Sequence, residues 1–172
     1  MCRSCKTYYE AAYCVGERSD TLRQLVDDLK FERQKSAAVS LASLLSSVTP
    51  IFPAGTAIVP VPTISSHVRL RGYDQVKLTA KSFAQMKTGC EYYPALARNT
   101  KTVQRGASKS VRRKQAKEAF LCRRRLSGDR LYVIIDDVVT TGSTIEYAAK
   151  CLYDAGARNI AVAVISRQPM KK

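Results

Sequence analysis

Two adjacent carboxylates, Asp136 and Asp137, stand just ahead of a small hydroxyl-rich turn, Thr140-Thr141-Gly142-Ser143-Thr144. Ionised carboxylates only accept hydrogen bonds, so such a pair suits the neighbouring hydroxyls of a sugar. The turn suits a phosphate monoester. It opens a helix, whose first N–H groups lack intrahelical partners and carry the positive end of the helix dipole. Gly142 lets a ligand come close to the backbone, while Thr140, Thr141, Ser143 and Thr144 add hydroxyl donors. A hydroxyl acceptor pair beside a phosphate cradle describes a site for a ribose 5-phosphate unit. The plainer alternative is that the acids end a strand in water and a Ser or Thr caps the helix. The combination speaks against it, because two carboxylates beside a buried strand repel each other without a compensating ligand or cation.

Other residues able to do chemistry are scattered more thinly. Arg69 and Arg71, with the only histidine, His67, lie in the stretch Thr63 to Gly72. Arginine forks match phosphate oxygens, which makes these two a second anion site; solvated loop charge is the competing reading. Cys2 and Cys5 form a CxxC, half the ligand set of a structural zinc site. Cys14 follows after eight residues, but no second CxxC does, so free thiols are the simpler reading of the segment taken alone. The chain starts abruptly at this motif, and a homodimer would pool zinc ligands from two copies.

Several elements must position these groups. Tyr132 to Ile135 is an unbroken, mostly β-branched apolar run, the composition of a strand buried on both faces of a parallel sheet. Beyond the turn, Ile145, Ala148, Ala149 and Leu152 recur at helical spacing, and Gly156 is placed as the C-terminal cap. Strand, acids, turn and helix in that order put the ligand outside the carboxyl end of the strand. Earlier in the chain, Tyr8 to Val15 reads as a strand and Ser19 as an N-cap. Leu22, Leu25, Val26 and Leu29 then mark a helix, and Ala38, Leu41, Ala42 and Leu45 a second. Thr56 to Val61 reads as a strand and Thr63 to Gly72 as a loop. A helix through Val76, Ala80, Phe83 and Ala84, a strand over Tyr92 to Ala97 and a closing strand over Asn159 to Ser166 complete the pattern.

At 172 residues the chain is long enough for one domain with a core of its own. It contains no run near the roughly eighteen apolar residues of a membrane span and no secretory signal, so a cytoplasmic location is expected. The net charge of +15 points to an anionic partner. Twelve basic residues stand against two acids, Glu118 and Asp129, between Arg98 and Arg130, so the excess is concentrated in one segment. Within it, Lys101 to Lys117 is polar, basic and poor in apolar anchors, which predicts a flap that moves without a ligand.

The stretch VIIDDVVTTGST resembles the phosphoribosyl-pyrophosphate (PRPP) loop of type I phosphoribosyltransferases, in which four apolar residues precede two acids and a T-T/S-G-x-T turn. Two further blocks narrow the resemblance. VPVPTISSHVRLRGYDQ is similar to the VPVP…R-x-R-G-F/Y-N/D-Q signature of the ComF (ComFC, GntX-like) family, which is linked to DNA uptake in bacterial competence. Arg98-Asn99-Thr100, Gln104, Ser108, Arg112-Arg113 and Ala119-Phe120 resemble the R-x-T-x-x-Q-x-x-x-S…R…A-F run of the same family, with one residue more between Thr100 and Gln104. Gln115 stands where relatives commonly carry Asn. Members usually begin with a zinc ribbon of two CxxC pairs, of which only Cys2 and Cys5 remain here.

The resemblance implies an α/β fold of type I phosphoribosyltransferase type. It has a central, mostly parallel sheet flanked by helices, a mobile basic hood over the site, and a vestigial cysteine-rich segment. Residues 1–15 would be that partial ribbon leading into the first strand, and residues 16–172 the phosphoribosyltransferase-like domain. It also assigns roles. Asp136 and Asp137 hold the 2- and 3-hydroxyls of ribose and stand beside Mg²⁺, directly or through water. Thr140, Thr141, Gly142, Ser143 and Thr144 hold the 5-phosphate, and Arg69 and Arg71 face pyrophosphate. Cys2 and Cys5 would be the zinc ligands. The activity implied is phosphoribosyl transfer from PRPP with release of pyrophosphate. A second class of reading is a non-catalytic competence factor that binds single-stranded DNA or DNA-processing proteins, with a regulatory or vestigial PRPP site. A PRPP sensor without turnover is a third. None of these names the acceptor base.

Overall fold

The computed structural model describes residues 7–18, 20–31, 36–99 and 119–168. In chain order these form β1 (Ala11–Glu17), α1 (Asp20–Phe31), α2 (Ala37–Val48), β2 (Ala57–Pro60), α3 (Ser65–Arg71), α4 (Gln75–Met86), β3 (Glu91–Tyr92), β4 (Leu96–Arg98), β5 (Phe120–Cys122), β6 (Leu131–Val139), α5 (Ser143–Asp154) and β7 (Asn159–Arg167). The main sheet has the order β1-β7-β6-β2-β3 and every pairing in it is parallel. β4 and β5 pair antiparallel in a small second sheet.

The buried strands read as near-continuous apolar runs because helices cover both faces of the sheet. On one face, Leu41, Leu45, Val76, Ala80 and Phe83 of α2 and α4 pack on Ile58, Val133, Ile135 and Ile165, with Val26 of α1 joining them. On the other, Ile145, Ala148, Ala149 and Leu152 of α5 pack on Val59, Tyr132, Ile134, Ile160 and Val162, with Leu96 and Phe120 of the β4–β5 pair. The four apolar positions of α5 are the ones its helical spacing singles out, and all four are at most 3% exposed.

α5 ends as its glycine requires. The N–H of Gly156 donates to Tyr153 O and that of Ala157 to Leu152 O, each at 3.0 Å, which is the Schellman pattern. Gly156 has φ +118°, and a Cβ there would lie 2.5 Å from Leu126 O. No helix of the described residues is long and apolar enough to cross a membrane.

Three sequence expectations need correction. The stretch Thr63 to Gly72 is not all loop, since Ser65–Arg71 is helix α3; none of its residues is buried, so it carries no apolar periodicity. Tyr92 to Ala97 is not one strand. Pro94 interrupts it, β3 ends at Tyr92 in the main sheet, and Leu96 begins β4 in the other. The central strand also runs on through the acids to Val139 rather than stopping before them, because β7 pairs with it as far as Val139–Arg167. At the N-terminal end, β1 starts and finishes a little later than expected and spans the boundary anticipated at residue 15. Cys2, Cys5, Ser19 and the basic flap from Lys101 to Lys117 lie outside the described residues.

Candidate functional site

Chain topology opens a crevice between β2 and β6. The chain leaves β2 for α4 on one face of the sheet and leaves β6 for α5 on the other, so the two strands lie at the switch point of the doubly wound pattern. Their ladder reaches Pro60–Ile135 and ends with Val61 N–H donating to Ile135 O at 2.9 Å. The next donor in phase along β2 is Thr63 N–H, which turns instead to Asp74 Oδ2 at 3.3 Å. Thr63 Oγ1 donates to Asp74 Oδ1 at 2.9 Å, and Asp74 Oδ1 also accepts Lys77 N–H at 3.1 Å as the N-cap of α4. One carboxylate thus peels the chain away from β6 and starts the next long helix. The cavity left behind has a volume of about 270 Å³.

Asp136 and Asp137 sit on the flank of β6 that continues past the β2 ladder, and both line this cavity. Successive side chains of a strand point to opposite faces, so the two carboxylates are not side by side. Asp137 is met from the α4 side, where Gln75 Nε2 donates to its Oδ2 at 3.2 Å. Asp136 is 8% exposed; its Oδ1 accepts the N–H of Asp137 at 2.9 Å. From the β4 side Arg98 faces it. Burial lowers the pKa of Arg98, and attraction to Asp136 opposes that. Repulsion between the acids is therefore relieved partly by geometry and partly by these neighbours, before any ligand enters.

The hydroxyl-rich turn borders the same crevice. Gly142 is the N-cap of α5, left-handed at φ +79°, ψ −8°, with no side chain of its own to cap the helix, and Thr141 Oγ1 accepts the Ser143 N–H at 3.5 Å. Ser143 is therefore the first helical residue and not the N-cap, and its hydroxyl and that of Thr141 lie 3.0 Å from each other. All four hydroxyl residues of the turn are exposed, and of them Thr144 lines the cavity. Tyr9, ahead of β1, hydrogen-bonds Glu146 in the first turn of α5; burial chiefly, then that glutamate, raises the Tyr9 pKa.

Hard oxygen donors such as Asp136 and Asp137 fit Mg²⁺ arriving with phosphate oxygens, since that ion uses one or two carboxylates beside substrate phosphates. Among the described residues no group of three or more His, Cys, Asp or Glu side chains is arranged for a metal. Cys14, Cys90, Cys122 and Cys151 are free thiols.

No protein-family model matches the chain. It is 31% identical over 161 residues to the DNA utilization protein YhgH of Salmonella typhi, covering 89% of this chain and 70% of that one. It is 30% identical over 166 residues to Competence protein F of Haemophilus influenzae, covering 89% and 71%. The chain belongs to the ComF family. A solved structure of the allosteric regulatory enzyme of purine biosynthesis superposes with a TM-score of 0.53 at 22% identity, over 76% of this chain and about a quarter (25%) of that one. The fold of this ComF-family chain is accordingly the type I phosphoribosyltransferase fold, and the relatives it matches are named for competence and DNA utilization.

Of the residues singled out in the sequence, the crevice brings together Asp136, Asp137, Thr144 and Arg71, with the turn alongside. Arg69 is exposed and does not line it. Gln75, Arg98, His67 and Thr63 do line it, although sequence reasoning gave none of them a site role. Gln75 ends the Y-D-Q block and Arg98 heads the next ComF block, so a signal was present without a role attached.

Proposed function

We propose that this ComF-family chain binds PRPP with Mg²⁺ in the crevice between β2 and β6 and transfers the phosphoribosyl group, releasing pyrophosphate. The observation that carries this reading is the junction of β6 and α5. An acid pair lies on a strand flank that β2 has left, beside a helix whose N-cap is a left-handed glycine and whose first N–H meets Thr141 Oγ1 at a long 3.5 Å. Ribose hydroxyls donate to Asp136 and Asp137, and the 5-phosphate accepts from the amides and hydroxyls of the turn. When bound, magnesium neutralises charge on the phosphate oxygens. The carboxylate of Asp137 is pre-oriented by Gln75, and that of Asp136 by its own neighbouring N–H. Displacement at the anomeric carbon asks no side chain to be a strong base, so one histidine is enough company for the acids.

Each charge-assisted hydrogen bond from a hydroxyl to an aspartate contributes about 1.5–3 kcal/mol. Replacing both acids, Asp136→Asn with Asp137→Asn, should weaken PRPP binding by roughly 10² to 10⁴-fold at about 1.4 kcal/mol per decade. Titration calorimetry with PRPP and Mg²⁺ reads this directly, and unchanged affinity in the double variant would sink the assignment. Pyrophosphate release across a panel of nucleobases then separates transfer from sensing.

A second reading is favoured by the net charge of +15 and by the names of the relatives: a competence factor that binds single-stranded DNA. Lys and Arg contacts to phosphates make such binding fall steeply with salt. A flat salt dependence of DNA affinity removes its electrostatic basis. The two readings are compatible, since one fold can carry both a PRPP site and a basic face.

A further inference from the structure

Two guanidinium groups line the crevice, Arg71 from α3 and Arg98 from β4, while Arg69 stays outside it. Arg98 is fixed before a ligand arrives. Its Nε donates to Pro62 O at 3.0 Å, and Phe120, its register partner across the β4–β5 pair, lies with its ring centre 4.9 Å from the guanidinium carbon. The Pro62 anchor sets the guanidinium at the root of the segment that carries Arg71. Its Nη groups donate to no partner among the described residues. A half-buried guanidinium with donors left over calls for an acceptor, and its fork matches two oxygens of a phosphoryl group.

We propose that Arg98 is an anion-binding residue of this site: with Arg71 it clamps the diphosphate carried on the anomeric carbon of the sugar, and Arg69 takes no part. The proposal rests on the phosphoribosyl reading given above and adds a residue and a specificity to it. The crevice selects a sugar with two anionic ends, the 5-phosphate at the α5 turn and the diphosphate between the arginines. A purely structural Arg98, a strut that holds Pro62 and offsets Asp136, makes a different demand. It affects every ligand of the acid pair alike.

The test compares two ligands that differ only by the diphosphate. Ribose 5-phosphate and PRPP, each with Mg²⁺, are titrated into the wild type, Arg98→Gln, Arg98→Lys and Arg69→Gln, with thermal melting as the check on folding. Arg98→Gln should weaken PRPP by about ten- to hundredfold more than it weakens ribose 5-phosphate, which feels only the loss of the charge facing Asp136. Arg98→Lys, which keeps the charge and loses the fork, should fall between, and Arg69→Gln should match the wild type for both. Equal weakening of both ligands by Arg98→Gln, or a PRPP loss that follows Arg69 instead, overturns the clamp. A wild type that binds ribose 5-phosphate as tightly as PRPP refutes the clamp alone, whereas one that binds neither refutes the phosphoribosyl reading beneath it.

Discussion

Gly142→Ala tests the phosphate turn through its backbone. The residue has φ +79° and ψ −8°, a conformation that costs an L-residue with a Cβ about 1–2 kcal/mol. A Cβ built there meets nothing within 4 Å, so no steric term adds to the conformational one. The backbone cannot easily escape by unwinding the first turn, because Ile145, Ala148, Ala149 and Leu152 anchor α5 to the sheet. A loss of that size should lower the melting temperature by roughly 2–8 °C in a domain of this length. Gly142→Asn should fall between, since Asn tolerates left-handed backbone. The same open space is where the phosphate must approach, so the alanine methyl should also weaken ribose 5-phosphate. Thermal melting and calorimetry read the two effects separately. Wild-type stability in the alanine variant would refute the left-handed N-cap. Lost stability with unchanged affinity would move the phosphate elsewhere.

Asp74→Ala removes the acceptor of Thr63 N–H, Thr63 Oγ1 and Lys77 N–H together, so stability should fall by about 0.5–2 kcal/mol from the lost cap. Ligand affinity should fall with it as the crevice loses its outer wall, and urea unfolding beside calorimetry checks both. Gly156→Ala should be worse than Gly142→Ala, because its Cβ meets Leu126 O at 2.5 Å as well as adopting positive φ; chemical denaturation compares the pair. Alkaline pH should destabilise the fold. Burial chiefly raises Cys151 from 9.0 to about 11 and Tyr92 from 10.0 to about 12. Between those limits the unfolded chain has released protons that the folded chain retains, so stability present below pH 9 declines from pH 9 towards 12. A melting temperature flat over that window contradicts it.

The sequence was most legible where one local pattern had one explanation. Tyr132 to Ile135 and the spacing of Ile145, Ala148, Ala149 and Leu152 each report a buried surface, and burial followed. Where the chain buries nothing, pattern reading had no signal: α3 packs none of its residues into the core and passed for loop. The segment Tyr92 to Ala97 failed for another reason. Tyr92 pairs with β2 whereas Leu96 and Ala97 pair with β5, and local composition does not encode which sheet a short strand joins. The site residues divide in the same way. Acids and turn are contiguous and could be read together, whereas Gln75 reaches Asp137 across 62 positions and Arg98 enters from a separate sheet. Contacts of that range follow from topology rather than from spacing.

The acid pair itself shows how local and long-range causes meet. Read as a string, two neighbouring aspartates repel, and a ligand or cation is needed to excuse them. Laid along β6, they face opposite sides of one strand, and each has its own attendant from a different helix or strand. The two acids therefore repel each other less than their adjacency in sequence implies, and the pair does not by itself demand a cation. What remains unusual is the place. Carboxylates interrupt an apolar strand where the neighbouring strand has been drawn off by Asp74, in the gap that the switch in winding direction opens. A strand built only for the core would continue apolar through Val139, since β7 still pairs with it there. Placing two acids in that stretch forgoes apolar burial at about 25 cal/mol per Å², against which stand the Gln75 bond to Asp137 and the Asp137 N–H bond to Asp136. That placement at the gap, more than the charge pair alone, marks the end of β6 as a binding site.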